Sequence, residues 1–148
     1  MKKLILLLLF IPLVFACSDD SNSEDVYLEI GDIHQGGIIF SLDASGHSGL
    51  IAAIGDLGVM NWGAARGHES DDWYLPSVYE LQTMYNTIGQ GAAIPYYNIG
   101  DFASGSYWSS TYSGNNPPHV SIFNFSNGVA SSGWNPALNL RVRFISSF

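Results

Sequence analysis

The chain has 148 residues, with 13 Asp and Glu against 5 Lys and Arg, and a single cysteine. This length suits one domain with one hydrophobic core. The acidic balance excludes nucleic acid as a partner, because phosphate binding needs clustered Lys or Arg, and a lone cysteine excludes an internal disulfide.

The first segment has the pattern of a bacterial lipoprotein signal peptide. Two lysines precede the apolar run 4–16, which is too short to span a bilayer, since that needs about 20 residues. The residues Val-Phe-Ala-Cys that end at Cys17 resemble a lipobox, in which the cysteine is acylated, with palmitate among its chains, and becomes the first mature residue. We therefore expect a signal peptide over 1–16 and a lipid anchor on Cys17. The alternative is an ordinary secreted protein with an unmodified cysteine.

A polar, acidic segment follows the cysteine, so that residues 17–25 read as a tether. It offers no apolar side chain to bury, and we expect it to be disordered. Processing removes both lysines, and three arginines against thirteen carboxylates then leave a net charge of −10. An acidic run directly after a lipidated cysteine also resembles the export signal of surface lipoproteins in some Gram-negative bacteria. We therefore expect the outer membrane, with the domain facing outward.

Residues 26–148 are predicted to form a single α+β domain with few helices and many short strands. The first strands are predicted at 37–42 and 50–54. The one clear helix is predicted at 78–88, where Ser77 and Glu80 form a capping box and an apolar stripe at helical spacing follows. Gly89 is placed to terminate this helix.

The second half of the domain is rich in Gly, Ser, Asn and aromatic residues. Further strands are predicted at 106–111, 119–125, 129–132 and 140–145. Asn127-Gly128 predicts a hairpin turn between the second and third of these. Arg141 and Arg143 alternate along the last predicted strand, so we expect them to share a face and to pair with buried carboxylates.

Six segments of the sequence are distinctive in combination. They are Gly31–Phe40 (GDIHQGGIIF), Gly49–Ala53 (GLIAA), Asp72–Leu81 (DWYLPSVYEL), Ser106–Thr111 (SYWSST), Phe125–Gly128 (FSNG) and Arg141–Arg143 (RVR). This series resembles the Lcl C-terminal domain, which is found in bacterial collagen-like adhesins and is common in surface lipoproteins. The resemblance covers residues 31–148 and implies a C-type-lectin-like fold, similar to that of sulfatase-modifying enzymes. It also implies adhesion, and the acidic charge here favours a neutral or cationic ligand over a sulfated glycan.

The candidate binding residues lie in the loops 112–119 and 133–139. These loops combine Asn, Trp, Tyr and Pro, which can stack on sugar rings and hydrogen-bond to hydroxyls without carrying charge. A turn-forming role for each residue is the alternative. The candidate ligand-binding residues are Tyr112, Asn115, Asn116, His119, Trp134 and Asn135.

Signals for metal binding or catalysis are weak. The run 68–72 (HESDD) is the densest group of possible metal ligands, but it lacks the alternation and the central Gly of a calcium loop, and we expect a solvated loop. The loops around Asn115 and Trp134 lack the acidic ligands of calcium-dependent lectins. Leu50 stands where a nucleophile elbow needs Gly. We expect no catalytic residue, no metal and no cofactor.

Three functions stay open at this point. The first is a lipid-anchored binding module for a glycan or a host protein. The second is a structural or accessory component of an envelope complex that has no small-molecule ligand. The third, less favoured, is a hydrolase that uses Asp71 or Asp72 with a histidine.

Overall fold

The computed structural model describes residues 27–115 and 118–148. The predicted signal peptide and tether, Cys17 and Asn116 lie outside these ranges. The elements in chain order are β1 (Ile33–His34), β2 (Gly37–Leu42), β3 (Gly49–Ala53), β4 (Gly58–Met60), α1 (Trp62–Gly67), α2 (Val78–Thr87), β5 (Ser106–Asn115), β6 (Pro118–Asn124), β7 (Val129–Trp134), β8 (Leu140–Val142) and β9 (Ile145–Ser147). The mixed α+β class is confirmed.

The strands form two sheets. A four-stranded antiparallel sheet has the order β1-β2-β3-β9, and a five-stranded sheet has the order β4-β8-β5-β6-β7. The described chain therefore passes between the sheets twice, once from β3 to β4 and once from β8 to β9. Strands β3 and β9 pair with each other. In the sequence, therefore, the whole five-stranded sheet is inserted between two strands that are neighbours in the other sheet.

The late strands agree with the sequence pattern except for the last one. The hairpin at Asn127-Gly128 is confirmed, because Asn124 and Val129 pair across it and Gly128 has a φ of +70°. The predicted strand 140–145 is wrong as one element: it splits into β8 and β9, which belong to different sheets. The break falls at Arg143 and Phe144, where the buried Arg143 side chain needs partners that a continuous strand would not bring to it.

Helix α2 begins where the capping box predicts. The Ser77 hydroxyl accepts a hydrogen bond from the Glu80 N–H (3.2 Å), and Glu80 Oε2 accepts one from the Ser77 N–H (2.6 Å). Gly89 follows the cap residue Ile88, but its φ is not left-handed. A Cβ there would lie 2.8 Å from the Tyr85 Cα, so close packing, rather than backbone handedness, favours glycine.

A second, short helix was not predicted. Helix α1 has six residues, two of them glycine, and its first turn is capped by Asn61, whose Oδ1 accepts from the Ala64 N–H at 2.8 Å. So short and glycine-rich a segment shows no helical apolar stripe.

The core consists of two groups of buried residues on opposite faces of the five-stranded sheet. Tyr107 pairs with Phe123 in one group, which also includes the buried face of α2 and residues of the four-stranded sheet. Trp108 pairs with Ile122 in the other, which α1 and the segment before α2 cover. Adjacent strand residues point to opposite faces, which explains this division. Trp73 and Leu75 pack into the second group. Among the helices of residues 27–115 and 118–148, none has the length and apolar character to cross a membrane.

Candidate functional site

The sheet register brings two of the candidate ligand residues to one end of the five-stranded sheet. Tyr112 on β5 is opposite Val120 on β6, and Val120 is opposite Trp134 on β7. Directly paired residues share a face, so Tyr112 and Trp134 stand on the same side of the sheet. Two strand spacings separate their backbones, about 10 Å.

Tyr112 is the exposed aromatic residue of this group. Its side chain is 59% exposed, and the edge of the ring meets the Trp62 ring with centroids 5.2 Å apart at 69°. Trp62 is itself fixed, because its Nε1–H donates to the Ser109 carbonyl at 2.8 Å. Helix α1 therefore braces an exposed tyrosine. Trp62 is a site residue that was not predicted, since nothing in the local sequence signals that a helix of six residues carries it to β5.

The Arg66 guanidinium extends this aromatic arrangement. Its Cζ lies 5.6 Å from the centre of the Trp62 ring, and its Nη1 lies 2.8 Å from Glu69 Oε1. The order along the surface is thus Tyr112, Trp62, Arg66 and Glu69. The only charged groups in this row neutralise each other, and the aromatic end has no net charge of its own.

Trp134 and Asn135 are more engaged in structure than Tyr112. Trp134 is half-buried against the second core group, and its Nε1–H donates to Ser131 Oγ at 3.1 Å. Asn135 is exposed, and its Oδ1 accepts from the Ala137 N–H at 2.9 Å to form a turn. The next carbonyl, of Pro136, accepts the Trp62 N–H at 3.0 Å. The loop 133–139 is therefore tied to helix α1.

The remaining candidates lie at the tip of the β5–β6 hairpin. His119 is half-buried and pairs with Gly114, where an added Cβ would lie 3.7 Å from the His119 Nδ1. The backbone of Asn115 pairs with Pro118. Asn116 falls outside the described residues, so its part in the site stays a prediction.

A shallow, open depression of about 180 Å³ lies beside the start of α2. Small and uncharged residues line it: Val78, Ser121, Ala130, Ser131 and Ser132. Ser121 follows Val120 on β6, so it belongs to the sheet face opposite Tyr112 and Trp134. This depression could not be predicted from the sequence, since it depends on how α2 meets the sheet.

The acidic run 68–72 forms an exposed loop whose polar groups shape its own backbone. Glu69 Oε1 accepts from the Leu75 N–H at 2.9 Å as well as from Arg66. Ser70 Oγ accepts from the Trp73 N–H at 3.1 Å, and Asp71 and Asp72 are exposed. Within the described parts of the chain, no three His, Cys, Asp or Glu side chains are grouped so that they could hold a metal ion.

A buried polar cluster surrounds Arg143, away from the candidate loops. Its Nε lies 2.7 Å from Asp56 Oδ1, and the guanidinium also donates to carbonyls of two loops. These acceptors are Ala53 (2.8 Å), Ile54 (3.3 Å), Gly100 (2.9 Å) and Asp101 (3.3 Å). The predicted pairing with a carboxylate is confirmed for Arg143. It is wrong for Arg141, which forms no salt bridge within the described residues.

The Tyr107 hydroxyl completes the Arg143 cluster. It donates to Asp56 Oδ2 at 2.8 Å and accepts from the Ala103 N–H at 2.9 Å. Burial, helped by the Asp56 carboxylate, raises the pKa of Tyr107 well above its usual value. Asp56 lies in the β3–β4 crossing and Arg143 in the β8–β9 crossing, so this ion pair joins the two crossings between the sheets. The polar atoms of the Arg143 cluster are hydrogen-bonded to one another and to the backbone, so the cluster has a structural role.

Comparison with known proteins adds no relative. A scan against protein-family models finds no match for this sequence, and a search of curated proteins finds none either.

Proposed function

We propose that this protein is a lipid-anchored bacterial surface protein that acts as a binding or adhesion module for a neutral glycan or a host protein. The anchor is Cys17, placed in the outer membrane by the signal peptide and the acidic tether. The fold is proposed to be of the C-type-lectin-like kind that the Lcl C-terminal domain resemblance implies. Ligand recognition is assigned to the end of the five-stranded sheet that carries Tyr112 and Trp134.

The observation that carries the proposal is the braced, exposed Tyr112. An exposed aromatic ring held in place by a second aromatic ring offers a stacking face with little entropy to lose on binding. Such a face suits the apolar side of a sugar ring, while nearby amides and hydroxyls suit its polar groups. The two ends of this surface, Tyr112 and Trp134, are spaced by about 10 Å, a span on the scale of one or two sugar rings.

The charge of the molecule supports a neutral ligand. A mature net charge of −10 repels sulfated or phosphorylated chains over the whole surface. The aromatic end itself balances Arg66 against Glu69. Binding that relies on stacking and neutral hydrogen bonds should depend little on salt, because screening acts on charges.

The test is a neutral-glycan array probed with the full chain in detergent, followed by affinity measurements on variants. We expect Tyr112→Ala to weaken binding about tenfold, equivalent to about 1.4 kcal/mol. Trp134→Ala and Asn116→Ala should also weaken it. Tyr27→Ala is the matched control, because Tyr27 is 79% exposed and precedes β1, a strand of the other sheet. Full binding by Tyr112→Ala, or a steep loss of affinity with added salt, would show that the site or the ligand class is wrong.

A further inference from the structure

A second exposed apolar surface lies on the loop between α2 and β5. In the segment 92–100 (AAIPYYNIG) there is no charged residue. The loop exposes four large apolar side chains within six positions, with Ile94 at 90% and Tyr97 at 59%. Tyr96 and Ile99 complete this set, which we call the aromatic loop. Single exposed apolar residues are ordinary, but a cluster of this kind marks an interaction surface.

The aromatic loop is a built structure. The Gly100 N–H donates to the Ile88 carbonyl at 2.9 Å, and the Asn98 N–H donates to the Gly89 carbonyl at 2.9 Å. The Asn98 side chain also bonds the backbone of Phe102 in both directions, at 3.0 and 3.2 Å. These bonds fix the two ends of the loop to the end of α2 and to the buried Phe102. The exposed side chains are therefore held at the surface by the fold.

The aromatic loop touches the beginning of the described domain. A Cβ on Gly31 would lie 2.7 Å from Ile99 Cδ1 and 3.4 Å from the Tyr96 ring. Tyr27, four residues earlier in the chain, is itself largely exposed. Only nine residues separate Tyr27 from Cys17, and the ten Cα–Cα steps between the two reach at most about 35 Å when fully extended. The aromatic loop is thus on the side of the domain from which the chain leads to the proposed anchor.

We propose that the aromatic loop docks onto the lipid surface to which Cys17 is anchored. This proposal rests on the anchoring part of the proposed function. Tyrosine is favoured at the membrane interface, where an apolar ring and a polar hydroxyl are both accommodated. The short tether keeps the local concentration of lipid high, so even a weak apolar contact is populated. The neighbouring carboxylates Glu29, Asp32 and Asp101 give the loop no electrostatic attraction to lipid phosphates, so the contact rests on its apolar side chains.

The docked orientation directs the candidate binding surface outward. The start of β5 is tied to the end of the aromatic-loop segment, because the Ala103 N–H bonds to the Tyr107 hydroxyl at 2.9 Å. From Ser106 the strand runs ten residues to Asn115, up to about 33 Å. Tyr112 is near the far end of this strand. A loop held at the membrane would therefore leave Tyr112 facing away from it.

Spin labels on single introduced cysteines test the docking. Cys17 is the one natural cysteine, and in the anchored protein its sulfur is occupied, so a label reports one position. Ile94→Cys and Tyr97→Cys are compared with Tyr79→Cys in the full, lipidated protein in phosphatidylcholine vesicles. Labels at 94 and 97 should be severalfold more accessible to oxygen, relative to a water-soluble nickel chelate, than the label at 79. Adding Ile94→Asp to the Tyr97→Cys variant should lower the oxygen accessibility of the label at 97, relative to the nickel chelate, to that of the label at 79.

Each contrary outcome has its own meaning. Flotation of the vesicles shows separately whether the protein is anchored. If it floats and all three labels have the same aqueous accessibility, docking is wrong while the anchor stands. If it does not float, the anchor and the docking that rests on it both fail. Protection of the loop labels from both reagents, rising with the ratio of protein to lipid, would assign the loop to a protein partner and overturn the proposal.

Discussion

The guanidinium of Arg143 connects residues that are far apart in sequence. Its carboxylate partner, Asp56, precedes it by 87 residues, and its carbonyl acceptors come from the loops that follow β3 and α2. The Arg-x-Arg spacing predicted two paired arginines on one strand. Arg143 is paired, but it lies in the break between β8 and β9. The local sequence does not reveal the break in that strand, because the break is caused by these distant partners.

Arg143→Ala should destabilise the fold strongly. Removing one partner of a buried ion pair leaves the other groups without compensation and typically costs about 3–5 kcal/mol. We expect about 3 kcal/mol, since Asp56 is partly accessible to water. Urea unfolding measures the change. Arg66→Ala is the matched control, because the Arg66–Glu69 pair is exposed and such pairs contribute at most about 1 kcal/mol. Equal losses for the two variants would contradict this account of the Arg143 cluster.

Tyr107 should make the stability of the fold sensitive to alkaline pH. The folded state raises the pKa of this hydroxyl above the value of 10.0 that it has when unperturbed. The neutral form is therefore favoured by folding: its contribution is fully present below about pH 10 and is lost as the pH rises towards the folded pKa. Unfolding free energies measured between pH 8 and 11 should fall less steeply for Tyr107→Phe than for the natural protein. A parallel decline in both would rule out Tyr107 as the source.

Among the elements, those with local signals were predicted and those set by tertiary contacts were not. The capping box, the apolar stripe and the Asn-Gly turn located α2 and the β6–β7 hairpin within a residue or two. Strand β4 has three residues and β1 has two, so neither is long enough to show an alternating pattern. Helix α1 is stabilised by packing of Ala65 and Trp62 onto the sheet, which the sequence does not display.

The capping box gives a direct test of α2. Ser77→Ala removes the acceptor of the Glu80 N–H and should lower the unfolding free energy by about 1 kcal/mol, the usual loss for an N-cap. Glu80→Ala should cost a similar or smaller amount. Thermal melts of these variants are compared with Gln82→Ala, an exposed position within the same helix where alanine is well tolerated. If the Ser77 and Gln82 variants melt alike, the cap contributes nothing to the fold.

At the scale of the whole molecule, the sequence predicted one α+β domain and most of its strands, but not the division into two sheets. The candidate site was predicted in part. Tyr112 and Trp134 do stand together, because hairpin pairing sets their register. Trp62 and the depression beside α2 could not be predicted, since both depend on how helices pack on the sheet. The resemblance to the Lcl C-terminal domain, the anchor and the ligand stay proposals.

The anchor is the most direct prediction at this scale. Cys17→Ser removes the sulfur that the lipid requires, so the protein should move from the membrane fraction to the soluble envelope fraction or accumulate with its signal peptide attached. Fractionation followed by immunoblotting measures this. Ser18→Ala is the neighbouring control, which should leave the protein in the membrane fraction. Unchanged membrane partitioning of Cys17→Ser would show that the lipobox interpretation is wrong.

In the sequence, the five-stranded sheet is inserted between β3 and β9, which pair with each other in the four-stranded sheet, and this arrangement has a mechanical consequence. In the proposed surface protein, a bound ligand would put the domain under tension: the force would enter ahead of β1, through the four-stranded sheet, and leave through the five-stranded sheet that carries Tyr112. Both crossings would then share the load, and the Arg143–Asp56 pair joins one crossing to the other. With this ion pair in place, the two crossings resist being separated one after the other. Under a steady pull, rupture should begin at this ion pair, and Arg143→Ala should lower the force needed to separate the sheets.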